Sequence, residues 1–242
     1  MKSSEVKRVV KDEYKNIAVG NKGCCACGAK NIAKSIGYSE ADLKITGSAN
    51  MGLGCGNPVA FSKIKEGDTV LDLGSGGGID CILAAQKVGP TGKVVGVDMT
   101  KEMIEKAQRI ATEQNVTNVK FVLGEIENLP LKDNSVDIII SNCVVNLTPD
   151  KTKAFKEARR VLKTGGKMYI SDIVLLGELS EEQKSDKNLL SGCVAGALQK
   201  EDYISKMRNI GFKLTILNEN KDVSKQQYKG IALESLMVEL TK

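Results

Sequence analysis

The stretch Val70-Leu71-Asp72-Leu73-Gly74-Ser75-Gly76-Gly77-Gly78 decides the fold. Its first four residues read as a buried strand. They run straight into a turn almost free of Cβ atoms, which lets a ligand press against the backbone at the strand's carboxyl end. A helical pattern follows at Ile79. About twenty residues further on, Val94-Val95-Gly96-Val97 closes on Asp98, where a carboxylate can accept both hydroxyls of a ribose. Strand, glycine turn, helix, strand and acid together predict a nucleoside-bearing ligand at the carboxyl edge of a parallel sheet.

A dinucleotide fingerprint requires G-x-G-x-x-G, whereas this chain has Gly74-Ser75-Gly76-Gly77-Gly78-Ile79. Glycines in a pyrophosphate site bring the backbone to the phosphates and let helix and strand pack closely; a ligand without phosphates needs only the tight turn and close approach. S-adenosylmethionine is such a ligand, and the run resembles motif I of the class I methyltransferases. That resemblance implies an α/β, Rossmann-like, mostly parallel seven-stranded sheet with helices on both faces and an antiparallel edge pair. It also implies Asp72 near the amino-acid end of the cofactor and Asp98 on its ribose. Gly74, Ser75, Gly76, Gly78, Met99 and Asn142 complete the cofactor surroundings.

Outward from this run, apolar stretches alternate with helical periodicity. Strands are expected near 69–73, 93–98, 119–123, 136–141 and 166–172, and helices near 79–88, 101–114 and 151–162, which is a βαβ series. Right-handed crossovers fold such a series into a parallel sheet with a ligand crevice where the strand order reverses. Two more strands, near 212–218 and 229–239, are joined by a polar stretch expected to be helix-free, so they should pair antiparallel at one edge. Ahead of the core, Val6, Val9, Val10, Tyr14 and Ile17 predict an amphipathic helix over 4–18. Ser39 with Asp42 forms a capping box opening a short helix, and the Gly- and Asn-rich residues 46–58 are expected to be loop. Residues 1–64 are thus an N-terminal helical and loop cap within one domain, residues 65–242 its core, and residues 173–200 a substrate-binding insert.

The chain has 242 residues, enough for one sizeable α/β domain with appendages and short for two independent cores. Its net charge of +5 comes from interspersed lysines and glutamates, with four Phe, five Tyr and no Trp, so nucleic acid is not implied. No apolar run approaches a membrane span and the first residues lack the core of a signal peptide, which predicts a cytoplasmic protein with no membrane partner. There is no histidine, which excludes imidazole ligands and histidine bases.

Seven cysteines in a reducing compartment argue against a disulfide framework and for reactive thiols. Cys81, just inside the first core helix, reads as a small buried hydrophobe. Cys143 directly follows the fourth strand, Cys193 lies between the fifth strand and its next helix, and Cys55 sits in the loop leading into the core. Three thiols from distant segments can therefore converge. Cys24, Cys25 and Cys27 contain a C-x-x-C, half of a zinc knuckle whose second half is missing, so no metal site is expected and a redox or transfer role is favoured.

Gly52-Leu53-Gly54-Cys55-Gly56-Asn57-Pro58, Ser141-Asn142-Cys143-Val144-Val145-Asn146-Leu147 and Gly192-Cys193-Val194-Ala195-Gly196-Ala197 together resemble the arsenite methyltransferase family over roughly residues 10–200. The resemblance implies methyl transfer from S-adenosylmethionine to arsenic(III), bound as arsenite or as a thiol complex by Cys143, Cys193 and Cys55. It implies Cys24 or Cys25 in disulfide chemistry, Ile126 and Glu127 beside the adenine, and a reductant of the thioredoxin or glutathione type. Thiolates suit a soft, thiophilic element, and an arsenic lone pair needs no general base. The chain departs from the family's pattern in its triple-cysteine cluster, and no further carboxyl-terminal module is expected after the last strand. Two other readings remain open on the residues: a methyltransferase of a small organic substrate, and a non-catalytic thiol binder of metalloids.

Overall fold

The computed structural model describes residues 1–20, 26–228 and 230–242. Seven strands form one sheet: β1 (Thr69–Leu73), β2 (Lys93–Asp98), β3 (Val119–Leu123), β4 (Val136–Asn142), β5 (Leu162–Leu175), β6 (Lys213–Asn220) and β7 (Leu233–Thr241), in the order β3-β2-β1-β4-β5-β7-β6. The pairs among β1 to β5 are parallel, and β7 runs antiparallel to both β5 and β6. This is the expected mostly parallel sheet with an antiparallel pair at one edge. The order reverses between β1 and β4, so a crevice opens at their carboxyl ends, where Asp72 stands beside Ile140 and Leu73 beside Ser141.

The strands alternate in period two, so each sheet face has its own core. Leu71, Leu73, Ile139, Met168 and Ile170 pack with Phe155, Ala158 and Val161 of α7 (Lys151–Val161) and Tyr203 and Met207 of α10 (Lys200–Asn209). On the other face Val70, Val94, Ile138 and Tyr169 meet α5 (Ile79–Val88) and α6 (Lys101–Glu113). The same core takes in Ala33 and Ile36 near α2 (Ala26–Ser35), Leu43 of α3 (Glu40–Thr46) and Val59 of α4 (Pro58–Phe61). A third cluster lies over the carboxyl edge and joins Val10 of α1 (Ser3–Ala18) to Cys55, Cys143, Leu147, Ile173 and Cys193.

The Ser39–Asp42 capping box is present, with Asp42 N–H on Ser39 Oγ at 3.1 Å and Ser39 N–H on Asp42 Oδ2 at 2.8 Å. Other expectations need correction. The stretch after β6 contains α11 (Asp222–Gln227), started by Asn220 Oδ1 accepting from Asp222 N–H at 2.9 Å; Val223 gives it one buried apolar anchor, too few for a readable period. β5 is longer than expected at both ends, and β7 starts later. Residues 46–58 hold a 3-10 turn at Gly47–Ala49 and end on α4, whose Pro58 stands at the first helical position with Asn57 as cap. α8 (Glu181–Ser185) and α9 (Lys187–Ser191) precede Cys193. Among the described residues no helix is long and apolar enough to cross a membrane.

Candidate functional site

A cavity of about 490 Å³ opens at the carboxyl ends of β1 and β4, within the range of small-molecule sites. The glycine turn forms its floor: the N–H groups of Gly74 and Ser75 both donate to Val97 O, at 2.7 and 3.0 Å, turning the chain back against β2. Gly74 has φ +67° and a Cβ there would stand 2.4 Å from Val144, so only glycine fits. Gly74, Ser75 and Gly76 line the cavity, and Gly77 does so in place of Gly78, which caps α5 behind the turn. Met99, Ile126, Glu127 and Asn142 also line it.

Asp98 is buried and accepts from Gly76 N–H at 3.0 Å and Thr100 N–H at 2.8 Å. Burial pushes its carboxyl up and these donors offset part of that rise. Asp72 is pushed well above the usual carboxylate range by burial and by the neighbouring Asp80; its Oδ2 accepts the Cys81 thiol at 3.2 Å. Asp80, pushed up to about 6 by burial, accepts from Tyr38 OH at 2.7 Å. Asp80 was not foreseen: one residue before Cys81, in a run that reads as helix packing, it carried no separate signal.

These features fit S-adenosylmethionine. Two buried acids, Asp72 and Asp80, meet at one end of the cavity with no basic partner among the described residues, which suits an α-ammonium and a sulfonium. Asp98 keeps lone pairs free for a diol, and Ser75 Oγ is buried without a partner. The cation among the lining residues, Lys7, is already paired with Glu125 at 2.8 Å and Glu127 at 3.1 Å. Through Lys7, Val10 and Tyr14, α1 covers the cavity. Its apolar spacing was readable, and its placement over the cavity was not.

The thiols converge on the other end. Cys143 and Cys193 both line the cavity, and Cys193 Sγ donates to Cys143 O at 2.9 Å. Both have left-handed backbone, φ +56° and φ +67°, which is uncommon outside glycine and asparagine and concentrates at functional sites. Burial holds the Cys193 thiol well above its ordinary value, so it is protonated at neutral pH. Cys55 is buried beneath the cavity wall; its loop, Met51 to Gly54, faces the ligand space and its sulfur does not. A disulfide joins Cys55 to Cys143, with Cα atoms 6.0 Å apart. This corrects the picture of three free thiolates: at the cavity, among the described residues, a bonded Cys55–Cys143 pair stands beside the free thiol of Cys193. Cys81 is free and buried in the core, as expected. Cys24 and Cys25 lie outside the described residues, as does the side chain of Cys27.

Asp172 lies beside the pair. One carboxylate oxygen and the sulfurs of Cys55 and Cys143 all fall within 4.8 Å of one another. Burial pushes Asp172 up to about 7, while Tyr203 OH and Asn146 Nδ2 donate to it, each at 2.9 Å. The position of this acid near the carboxyl end of β5 gave no sequence signal.

Residues 64–223 match the family described as methyltransferase domain. The chain is 43% identical over 225 residues to an arsenite methyltransferase from Halobacterium salinarum, covering 86% of this chain and 58% of that protein. Against the arsenite methyltransferase of Rattus norvegicus it is 36% identical, with 87% of this chain and 60% of that protein covered. An arsenic(III) S-adenosylmethionine methyltransferase from Chlamydomonas reinhardtii, known by crystal structure, superposes with a TM-score of 0.66 at 34% identity, over 87% of this chain and 73% of that one. The chain thus spans under two thirds of the length of the curated relatives.

Proposed function

Because the chain belongs to the arsenite methyltransferase family, with the class I methyltransferase fold and S-adenosylmethionine as cofactor, we propose that it methylates arsenic(III) held by Cys143 and Cys193, with Cys55 as third thiol. The observation that carries this reading is that Cys143 and Cys193, from segments 50 residues apart, meet in the cavity that also presents Asp72, Asp98 and the glycine turn. S-adenosylmethionine, when bound, supplies an electrophilic sulfonium methyl.

Arsenite binds neutral thiols by condensation: each As–S bond forms as a thiol proton and an arsenite hydroxyl leave as water. No charge is buried, so a thiol that burial keeps protonated, as it does Cys193, is suited to the task. Held by sulfur, arsenic keeps a lone pair that would take the methyl group, whose former bonding electrons would remain with the sulfur it leaves. Holding the reactants at attack distance supplies on the order of 7–11 kcal/mol. Methylation in this way oxidises arsenic by two electrons, and two thiols closing a disulfide return them. The Cys55–Cys143 bridge is the state such a step leaves, and a reductant of the thioredoxin or glutathione type reopens it. Cys24 or Cys25 passes the exchange on. Asp98 would hold the ribose and Asp72 the amino-acid arm, and Ile126 and Glu127 would flank the adenine, with Met99 beside them. Residues 1–64 act as a cap on the core within one domain, the insert at 173–200 forms the substrate wall, and the setting is arsenic detoxification in the cytoplasm.

The test is to incubate the protein with S-adenosylmethionine, a thiol reductant and arsenite, and to separate the arsenic species by chromatography. Methylated arsenicals are expected from the wild type and none from Cys143→Ser or Cys193→Ser, both of which still bind the cofactor. Wild-type rates in both variants would overturn the assignment, and tight arsenite binding without turnover would make the protein a binder.

A further inference from the structure

Asn142 is the last residue of β4 and is joined by a peptide bond to Cys143. Its amide oxygen accepts Cys55 N–H at 3.1 Å, and its amide nitrogen donates to Gly56 O at 2.7 Å. The second amide hydrogen meets Tyr38 OH at 3.0 Å, whose own hydrogen goes to Asp80 at 2.7 Å. Both ends of one side-chain amide therefore read the N–H and C=O of consecutive residues, as a neighbouring strand would. On the far side Ser235 Oγ donates to Cys55 O at 2.7 Å.

The loop has no slack between these walls. A Cβ on Gly54 would stand 2.8 Å from Asn142 Nδ2, and one on Gly56 would stand 2.0 Å from Ser171 Oγ. The two glycines that flank Cys55 are thus accounted for by close approach. Aspartate at 142 has no hydrogen for Gly56 O and would face Asp80; alanine leaves Cys55 N–H without its acceptor.

We propose that Asn142 is a positioning residue for the thiol pair: by gripping the Cys55–Gly56 backbone it holds the Cys55 sulfur within bonding reach of Cys143. The inference deepens the arsenic reading and rests on it only for the role of the pair in turnover. Placement of two thiols sets how readily they close, whatever the substrate: protein dithiol and glutathione disulfide exchange to protein disulfide and two glutathiones, with two electrons and two protons passing to glutathione.

The experiment equilibrates the full chain with defined ratios of reduced and oxidised glutathione, quenches with acid, and measures the Cys55–Cys143 bridge by mass spectrometry. It is done well below the melting temperature of every variant, with cofactor affinity measured in parallel by calorimetry. Asn142→Ala is expected to lower the equilibrium constant for the bridge by about tenfold or more, the scale of one or two lost hydrogen bonds. The isosteric Asn142→Asp should lower it too, and Tyr38→Phe, which leaves the grip on the loop intact, should change it by less than about threefold. An unchanged bridge constant in Asn142→Ala and Asn142→Asp overturns the proposal, and loss of cofactor binding with an unchanged bridge assigns Asn142 to the cofactor instead. Neither arsenic nor turnover enters the readout, so a protein that fails to methylate arsenite still tests it.

Discussion

Cys193 stands at φ +67° with its side chain buried, an arrangement that costs an ordinary residue roughly 1–2 kcal/mol. Glycine takes this conformation freely but loses about 0.5–1 kcal/mol to alanine in chain entropy at ordinary positions. Comparing Cys193→Gly with Cys193→Ala cancels the lost sulfur and its hydrogen bond to Cys143 O, leaving strain relief against entropy. The glycine variant should therefore be the more stable by about 0.5–1 kcal/mol, or roughly 1–4 °C in Tm for a chain of this size. Cys81 in α5 is the control, since there glycine should fall below alanine by about 1 kcal/mol. Urea and thermal unfolding under reducing conditions measure both pairs. If glycine loses to alanine at 193 as it does at 81, the strain is not there and the argument that function maintains it fails.

Three further outcomes follow from the cavity. Gly74→Ala, which sets a Cβ 2.4 Å from Val144 at φ +67°, should abolish measurable cofactor binding by calorimetry, and adding Val144→Ala should restore part of it. Asp98→Asn keeps one acceptor for two backbone donors and should weaken cofactor binding by roughly tenfold to a hundredfold, with unchanged binding counting against a ribose contact. Asp172 is raised to about 7 and Asp80 to about 6, so the folded chain keeps protons that the unfolded chain releases near pH 4. Stability should accordingly fall as pH rises from about 4 to about 7 and level off above. Asp172→Asn should flatten the upper part of that curve in denaturant titrations, and a curve of wild-type slope contradicts the raised value.

The glycine turn and the acids at its strand ends were legible because their placement is local. Asp72, the glycine turn and Asp98 stand at strand ends, and period-two and 3.6-residue patterns place those ends with little help from tertiary context. The cysteine motifs pointed to convergence of Cys143 and Cys193 because both follow strands of a known order. Bonding between Cys55 and Cys143 was not legible, since sequence separation says nothing of whether two sulfurs share one side of a wall. Asp80 and Asp172 escaped notice because burial, which a single sequence does not display, is what raises their carboxyls. α11 was missed for want of apolar repeats, and α2 because its start in a cysteine and glycine cluster reads as a break.

The central claim is that arsenic sits on Cys143 and Cys193 at the cofactor cavity. Arsenic X-ray absorption on the reduced protein with one equivalent of arsenite tests it directly by counting the sulfur atoms bonded to arsenic. Two or three sulfurs are expected in the wild type, with one fewer in Cys193→Ser and in Cys143→Ser. An all-oxygen environment, or a sulfur count that neither substitution alters, would contradict it.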